Sequence, residues 1–549
     1  MDKLPYDIYD RIAASLDGPD VERPKLATIS RKWQLAIERQ TFQDILLRST
    51  NLNRFKQVVR GDRRRYVKKI EYIVLLPTYQ DWERGRFERE DERNVNNESF
   101  TVAIHGLFQI LKDWNVFKDG TFTLEIRDVY STSDHKFLRH SDPLYCVGGD
   151  TINIKKPDQT TYGLDLQAWR FHYSYLLLQR LSALPSLPVV SSFRIWAITR
   201  KISPSSAFGM VKKLPNLQRL AVALKDSEIR YIEFRQSYRK ELAEAILNNM
   251  STLSRLEYFR LNTYNGVSWN PVWGARSLFP NNAPADPLSA AIGTVVANSK
   301  RLKEVDFNLC MDDALFLPSQ SRALSVPYWY NLEHLQLMIP IRRPSGGSYF
   351  RNKEPIDDDP RILPPLLTQM PPGYGYSAEE DRLAASGFSL PEHREMDFAM
   401  HRCEVVPNDD ALVPLLESFG RACLQMRDLK TATLVASIPS GLLLSNGETM
   451  YSTTMWGVWY IKRGCAARAM GQCLLGPEYS KAQDEGKILW TVGDWRPDFD
   501  LSRLLRSIGQ EPKHRGPQLT EKFIELYYNP WKEFELNSWE EKWGNRRAA

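Results

Sequence analysis

Nowhere in the 549 residues is there an unbroken apolar run near the roughly 20 residues that cross a bilayer, so no membrane-spanning helix is expected. Asp2, Asp7 and Asp10 stand where a secretory leader would need a basic region followed by an apolar core, and an intracellular protein, cytoplasmic or nuclear, is expected. Cysteine is sparse. Six are scattered at 146, 310, 403, 423, 465 and 473 without a Cys-x-x-Cys pair, which argues against a disulfide framework and a zinc knuckle. A dominant charge is also lacking: 73 Lys and Arg against 67 Asp and Glu leave +6, which does not mark a nucleic-acid binder.

Enzyme signatures are missing too. The glycines at 148–149 and at 373 and 375 lack the lysine or helix context of a phosphate loop, and no Gly-x-Ser-x-Gly elbow or His-Glu-x-x-His pair occurs. His393, His401 and Cys403 lie close together but match no standard metal spacing, and Asp357, Asp358 and Asp359 lack the spaced ligands of a calcium loop. No catalytic, cofactor-binding or metal-binding residues are expected. What is present is ordinary for globular protein, 42% hydrophobic and 26% charged, with length for roughly two to four structural units.

The most informative stretch is Leu4 to Leu46. Leu4, Ile8, Ile12 and Leu16 recur at helical spacing, with Pro5 where a first turn tolerates a missing donor. A second helix is expected from near Pro24, with Leu26, Ile29, Trp33 and Ile37 on a single face, and a third after Thr41 with Phe42, Ile45 and Leu46. Three such helices bury too little apolar surface to stand alone, so a docking module or a cap on a larger fold is implied.

LPYDIYDRIAASL, KLATISRKWQLAI and TFQDILL together resemble an F-box, whose pattern is Leu-Pro, spaced aliphatics and Ser-Arg-x-Trp on the second helix. Leu4, Pro5, Ile8, Ile12, Leu16, Leu26, Ile29, Ser30, Arg31 and Trp33 stand at matching places, while the connector DGPDVERP departs from it with charges and prolines. The resemblance implies an adaptor-binding set of Leu4, Pro5, Ile8, Ile12, Leu16, Leu26, Ile29 and Trp33 that docks on the Skp adaptor and, through it, a cullin.

A basic stretch follows: Arg54, Lys56, Arg60, Arg63, Arg64, Arg65, Lys68 and Lys69, opposed only by Asp62. No aromatic platform is interleaved with these charges, which favours a solvated helix end over a nucleic-acid site. KIEYIVLLP then reads as a strand, Asp81 to Asn97 as a charged loop, Ser99 to Trp114 as a helix and TFTLEIRDVY as another strand.

A loose repeat comes next. Leu217, Leu220 and Val222 follow a Leu-x-x-Leu-x-Leu form, as do Leu256, Phe259 and Leu261, then Leu302, Val305 and Phe307, then Leu332, Leu335 and Leu337, with an earlier copy at Val190, Phe193 and Ile195. Helical stretches lie between copies, including Leu242, Ile246 and Met250, and Leu288, Ile292 and Val296. The first leucines are 39, 46 and 30 residues apart (217, 256, 302, 332), too long for a regular leucine-rich repeat. Stacked units of one strand and one helix nevertheless favour a parallel sheet exposing Arg219, Glu257, Arg260, Glu304, Asp306, His334 and Gln336.

From Pro340 to about Pro391 the chain turns rich in Pro, Gly and charge, as an insertion or linker does. Leu412, Leu415, Leu416, Phe419, Ala422, Cys423 and Met426 then mark an amphipathic helix before the strand LKTATLVAS. WGVWYIKRG and GKILWTVGDWRP read as paired strands with Trp456, Trp459, Trp490 and Trp495 packed between them, rather than as a base-stacking surface beside Lys462, Arg463 and Arg496. From Thr520, Phe523, Leu526, Tyr527, Trp531 and Phe534 suggest a closing helix.

The expected fold is α/β: a three-helix F-box (1–50), an irregular leucine-rich-repeat-like strand/helix solenoid (66–340), an insertion (341–400) and a C-terminal continuation with Trp-rich strands (401–549). That layout resembles uncharacterised fungal F-box proteins with leucine-rich-repeat-like bodies. It implies a non-catalytic substrate receptor of an SCF-type cullin RING ubiquitin ligase, with an unknown protein target held by the body. The alternatives are an F-box-like scaffold outside a ligase and a nucleic-acid-binding protein using residues 54–69.

Overall fold

The computed structural model describes residues 5–16, 23–80, 88–134, 171, 174–196, 199–224, 226, 232–263, 276–279, 283, 285–316, 329, 331–352, 405–443, 449–509 and 519–524. The N-terminal helices are α1 (Tyr6–Ser15), α2 (Arg23–Ala27) and α3 (Arg31–Thr41). The expected second helix is broken at its middle. Thr28 and Ile29 donate their amides to the Lys25 and Leu26 carbonyls in a tight turn, and extended Ser30 caps α3 by accepting the Trp33 amide. Leu26, Ile29, Trp33 and Ile37 therefore do not share one face, and Ile29 is 57% exposed in that turn.

The expected third helix is a strand, β1 (Asp44–Arg48). The Gln43 carbonyl accepts the amides of both Lys68 and Lys69, and pairing with the next strand overrides the short helical spacing of Phe42, Ile45 and Leu46.

Among the described residues, those up to 263 belong to one compact unit and those from 276 onward to a second. In the first, β1 is followed by β2 (Lys69–Leu76), β3 (Phe122–Ser131), β4 (Val190–Ile195), β5 (Arg219–Ala223) and β6 (Tyr258–Asn262), each parallel to the one before. When sheet order follows chain order, right-handed crossovers put every connection on the same face. The connections carry α4 (Leu52–Val58), α5 (Glu90–Leu111), α6 (Val116–Asp119), α7 (Pro204–Val211), α8 (Ile232–Asn248) and α9 (Met250–Leu253). Phe100, Ile104, Leu107 and Phe108 of α5 are buried, and the Tyr72 hydroxyl of β2 donates to the Ala103 carbonyl at 2.9 Å.

Helix α5 starts at Glu90, not Ser99, and so takes in part of the expected charged loop. Glu90, Asp91 and Glu92 in its first turn suit the positive end of the helix dipole, and the Glu92 carboxylate accepts the Arg89 amide at 2.9 Å. The charge that suggested a loop is an N-terminal cap.

The second unit contains α10 (Pro287–Asn298), β7 (Glu304–Asn308), β8 (His334–Ile339), β9 (Phe350–Asn352), β10 (Val405–Pro407), α11 (Asp409–Leu424), β11 (Thr431–Leu443), β12 (Thr449–Ile461), α12 (Ala469–Leu475), β13 (Lys487–Thr491), α13 (Phe499–Arg506) and β14 (Thr520–Phe523). Strands β7, β8 and β11 run parallel, β12 is antiparallel to β11 and β13, and β13 is parallel to β14. Strands β9 and β10 form a separate antiparallel pair. The protein is thus mixed α/β, with mostly parallel strands and connecting helices.

The leucines opening the repeats, Leu217, Leu256, Leu302 and Leu332, are all buried just ahead of β5, β6, β7 and β8. Alternation is cleanest in β6 to β8, where every second residue is buried and its neighbours are half-exposed. The expected change of character at Pro340 is not immediate, because Tyr349 is buried and donates its hydroxyl to the Met311 carbonyl at 2.7 Å, and β9 follows. Residues 353–404, with Asp357, Asp358, Asp359, His393, His401 and Cys403, lie outside the described residues. The closing helix expected from Thr520 is instead β14 over its first four residues, and Leu526, Tyr527, Trp531 and Phe534 lie outside the described residues.

Candidate functional site

Two surfaces merit construction from their residues: the N-terminal helices and the sheet face turned away from the connecting helices. In the helical module, Tyr9, Ala13, Trp33, Ala36 and Ile37 form a core, with Ile12, Leu16 and Leu26 packed against it. The Tyr9 and Trp33 rings meet edge to face at 5.3 Å. Arg39 of α3 closes on Asp10 of α1 at 2.7 Å. Ile12, Leu16, Leu26 and Trp33 of the expected docking set therefore hold the module together. Pro5 and Ile29 are exposed, Ile8 is half-exposed, and Tyr6, not in the expected set, is 50% exposed with Lys32 Nζ 5.3 Å from its ring centre. Leu4 lies outside the described residues.

The basic stretch is largely spent on local structure. Arg63 binds Glu38 at 2.8 Å and holds its carboxyl below the usual range, and its guanidinium also lies over the Phe42 ring. Arg64 stacks on Trp114, Arg65 lies 3.5 Å from Asp62, and Lys69 contacts Glu71 at 2.5 Å and Glu125 at 3.0 Å. Arg54, Lys56, Arg60 and Lys68 remain exposed.

On the outward face of the first unit, register sets the side chains in rows. One row runs Lys69, Thr123, Ser192, Arg219, Tyr258; the next runs Glu71, Glu125, Arg194, Ala221, Arg260. Arg127 sits at the register shift of β3 and pairs with Glu71. Burial works against the charge on Lys69, but Glu125 and Glu71 outweigh it and raise its pKa; burial likewise opposes the Glu71 carboxylate, yet Lys69 and Arg127 pull its pKa down. Acids and bases balance on β2 and β3. On β4 to β6 the outward charges are Arg194, Arg219 and Arg260 alone.

In the second unit the row is Glu304, His334, Thr431, Ile461, Lys487, and the next is Asp306, Gln336, Thr433, Trp459, Leu489. His334 Nδ1 lies 2.9 Å from Thr431 Oγ1, and burial followed by the Arg468 charge holds its pKa down at about 4, so the ring is neutral at physiological pH. Toward β13 this face turns apolar and is covered: Val435, Trp459, Ile461 and Leu489 pack under Ala467, Leu475 and Tyr479. Arg468, just ahead of α12, reaches Glu304 at 2.5 Å.

The tryptophans pack on both sides of the strands. Trp459 lies under α12, whereas Trp490 is fully buried on the other face beside Trp456, Trp495 and Phe523. They form no open stacking surface. Among the described residues no three His, Cys, Asp or Glu side chains gather as metal ligands, and no helix is long and apolar enough to cross a membrane.

Sequence reading found Arg219, Glu257, Arg260, Glu304, Asp306, His334 and Gln336, all exposed or half-exposed as expected. It took Lys69 as part of the basic stretch and missed Glu71, Glu125, Arg127 and Arg194 on this face, although the alternation in KIEYIVLLP and TFTLEIRDVY, and that of Phe193 and Ile195 around Arg194, carried through polar positions, contains that signal. No protein-family model matches the chain, and no curated protein matches it.

Proposed function

We propose that this chain is a substrate receptor of an SCF-type cullin RING ubiquitin ligase, with the N-terminal helices as an F-box bound to the Skp adaptor and the body holding a protein target. The reading rests on the F-box-like pattern of Leu4 to Trp33. One structural observation supports it: the three helices close their own small core around Trp33 while Pro5, Tyr6 and Ile29 stay exposed beside it. Exposed apolar anchors on a preformed helical unit suit docking into a partner's groove. The body is then an irregular strand-and-helix solenoid, a reading supported by sheet order following chain order within the first unit. Ubiquitin transfer falls to other subunits, and this chain supplies no catalytic group.

The test is co-purification of the tagged chain with the Skp adaptor and a cullin, beside the variants Tyr6→Ala/Ile29→Asp and Leu4→Ala/Pro5→Ala/Ile8→Ala. Tyr6 and Ile29 are outside the module's core, so their substitution separates docking from folding. Stoichiometric adaptor and cullin with the parent, and neither with the folded variants, supports the receptor. Adaptor without cullin makes it a scaffold outside the ligase. No adaptor with a folded parent leaves the helices as a cap on the body.

A further inference from the structure

We propose that the outward face of β4 to β6 binds an extended acidic segment of a protein partner, through Arg194 of β4 and Arg219 at the start of β5, beside a floor made by Ala221 and Ala223. The proposal rests on the receptor reading, for which it names the chemistry of the target.

Arg194 of β4 and Arg260 of β6 occupy one row with Ala221 of β5 between them, and Arg219 stands in the row below. Neighbouring strands are about 4.8 Å apart, so Arg194 and Arg260 rise from backbones roughly 10 Å apart across a methyl group. Ala223 repeats that small side chain one row up, beside Asn262. The result is a trough with a low floor and basic sides. No carboxylate among the described residues occupies an outward position on these three strands, and the nearest on the same row, Glu125 of β3, lies 3.9 Å from Arg194 while also taking Lys69 at 3.0 Å.

The aromatic side chains decide between a peptide and a nucleic acid. Tyr258 carries the Arg219 guanidinium 4.5 Å over its ring centre, and Trp196 carries that of Arg260 at 5.3 Å. Each ring thus gives a face to a guanidinium, the contact that a stacked base would need in single-strand recognition. They instead orient planar guanidiniums, whose forked donors match carboxylates. Asn262, half-exposed beside Ala223, adds a polar side chain to the row that an extended backbone would follow. Side chains on one face of such a backbone recur about every 6.8 Å, within reach of flexible arginine stems standing roughly 10 Å apart.

The experiment is fluorescence anisotropy of a labelled twelve-residue alternating Asp/Glu peptide against the full chain at low and high salt. The full chain is compared with Arg194→Glu/Arg219→Glu and with Ala223→Leu, which fills the floor without changing charge. Adaptor co-purification and thermal melting run on each protein as independent readouts of the module and the fold. Saturable binding that weakens with salt, falls at least tenfold in the arginine variant and falls several-fold in Ala223→Leu supports the proposal. It is overturned if the parent does not bind, if folded variants bind as the parent does, or if an oligouridylate of equal length displaces the peptide at lower concentration. Peptide binding without adaptor binding would sink the receptor reading and keep the acidic site; adaptor binding without peptide binding would do the reverse.

Discussion

Asp44 lies directly opposite Lys69 in the parallel pairing of β1 with β2, so the sheet begins within three residues of the end of α3 at Thr41. The helical module and the body therefore meet at residues 42–43, not at 50. Truncation after Phe42 removes α1 to α3 and the half-exposed Arg63–Glu38 pair, a contact worth about 1 kcal/mol. Truncation after Thr50 also removes β1 and with it buried Leu47, adding about 2 kcal/mol or more of lost apolar burial and baring the edge of β2. Denaturant melts of the two shortened chains should show the longer deletion less stable and more prone to aggregate; equal midpoints would contradict this boundary.

A second relationship concerns Glu88 and Arg200. Their side chains are 0% and 2% exposed, they meet at 2.6 Å, Asn96 donates to the same Glu88 oxygen at 2.6 Å, and the guanidinium lies 3.5 Å from the Phe171 ring centre. Glu88→Ala leaves a buried cation with its partner gone and should cost about 3–5 kcal/mol, whereas Glu88→Leu/Arg200→Met should cost far less. A double-mutant cycle by chemical denaturation checks this. Simple addition of the two single losses would mean that the pair is not coupled.

How much of this was legible in the sequence depends on what fixed each element. Buried repeat leucines declared themselves because a period of two with one apolar face survives any neighbour, and the amphipathic helix around Leu412 to Phe419 likewise appears as α11. The strand at Asp44–Arg48 did not, because Ile45 and Leu46 suit either period and only the pairing with β2 decides between them. The start of α5 was hidden by the same charges that cap it. The covering of Trp459 by α12 joins residues on β8, β11, β12 and β13, and such packing has no local signature. In the N-terminal helical module, the spacing identified Ile12, Leu16, Leu26 and Trp33 as apolar positions, but the turn at Thr28–Ser30 decided which apolar residue faces outward.

The pH dependence of the second unit should contain two opposed terms. Asp312 has its pKa pushed up to about 6, by burial first and then by Asp286 and Asp313, so the folded state binds this proton more tightly than the unfolded chain. Its contribution is complete below about pH 4 and is lost as pH rises through 6. His334, held down at about 4, does the opposite: its contribution is present above about pH 6.5 and is lost as pH falls through 4. Each is at most about 3 kcal/mol at 1.36 kcal/mol per pH unit, and they largely cancel between pH 4 and 6.5. Asp312→Asn should unmask a loss of stability toward acid, and His334→Gln a gain. Denaturation midpoints at pH 4.5, 5.5 and 7 check the signs, and parallel curves for the two variants would refute the assignment.

Trp459 is where the outward sheet face changes from open to covered. It is 3% exposed, its indole donates to Thr491 Oγ1 at 3.3 Å, and Gly471 of α12 packs against its ring so closely that an added Cβ there would lie 3.2 Å from it. With Met338, Val435 and Leu489 it forms the apolar bed on which α12 rests, and Arg468 fastens the same segment to Glu304. Trp459→Ala should therefore cost about 3–5 kcal/mol and release residues 465–480, whereas Arg468→Ala, removing a partly exposed ion pair, should cost about 1 kcal/mol or less. Limited proteolysis with mass mapping distinguishes the two: early cleavage within 465–480 in Trp459→Ala, and a parent-like pattern in Arg468→Ala. If the ion pair proved the stronger fastening, Arg468→Ala would open the segment and Trp459→Ala would not, and the covered face would be held by charge instead of by apolar packing.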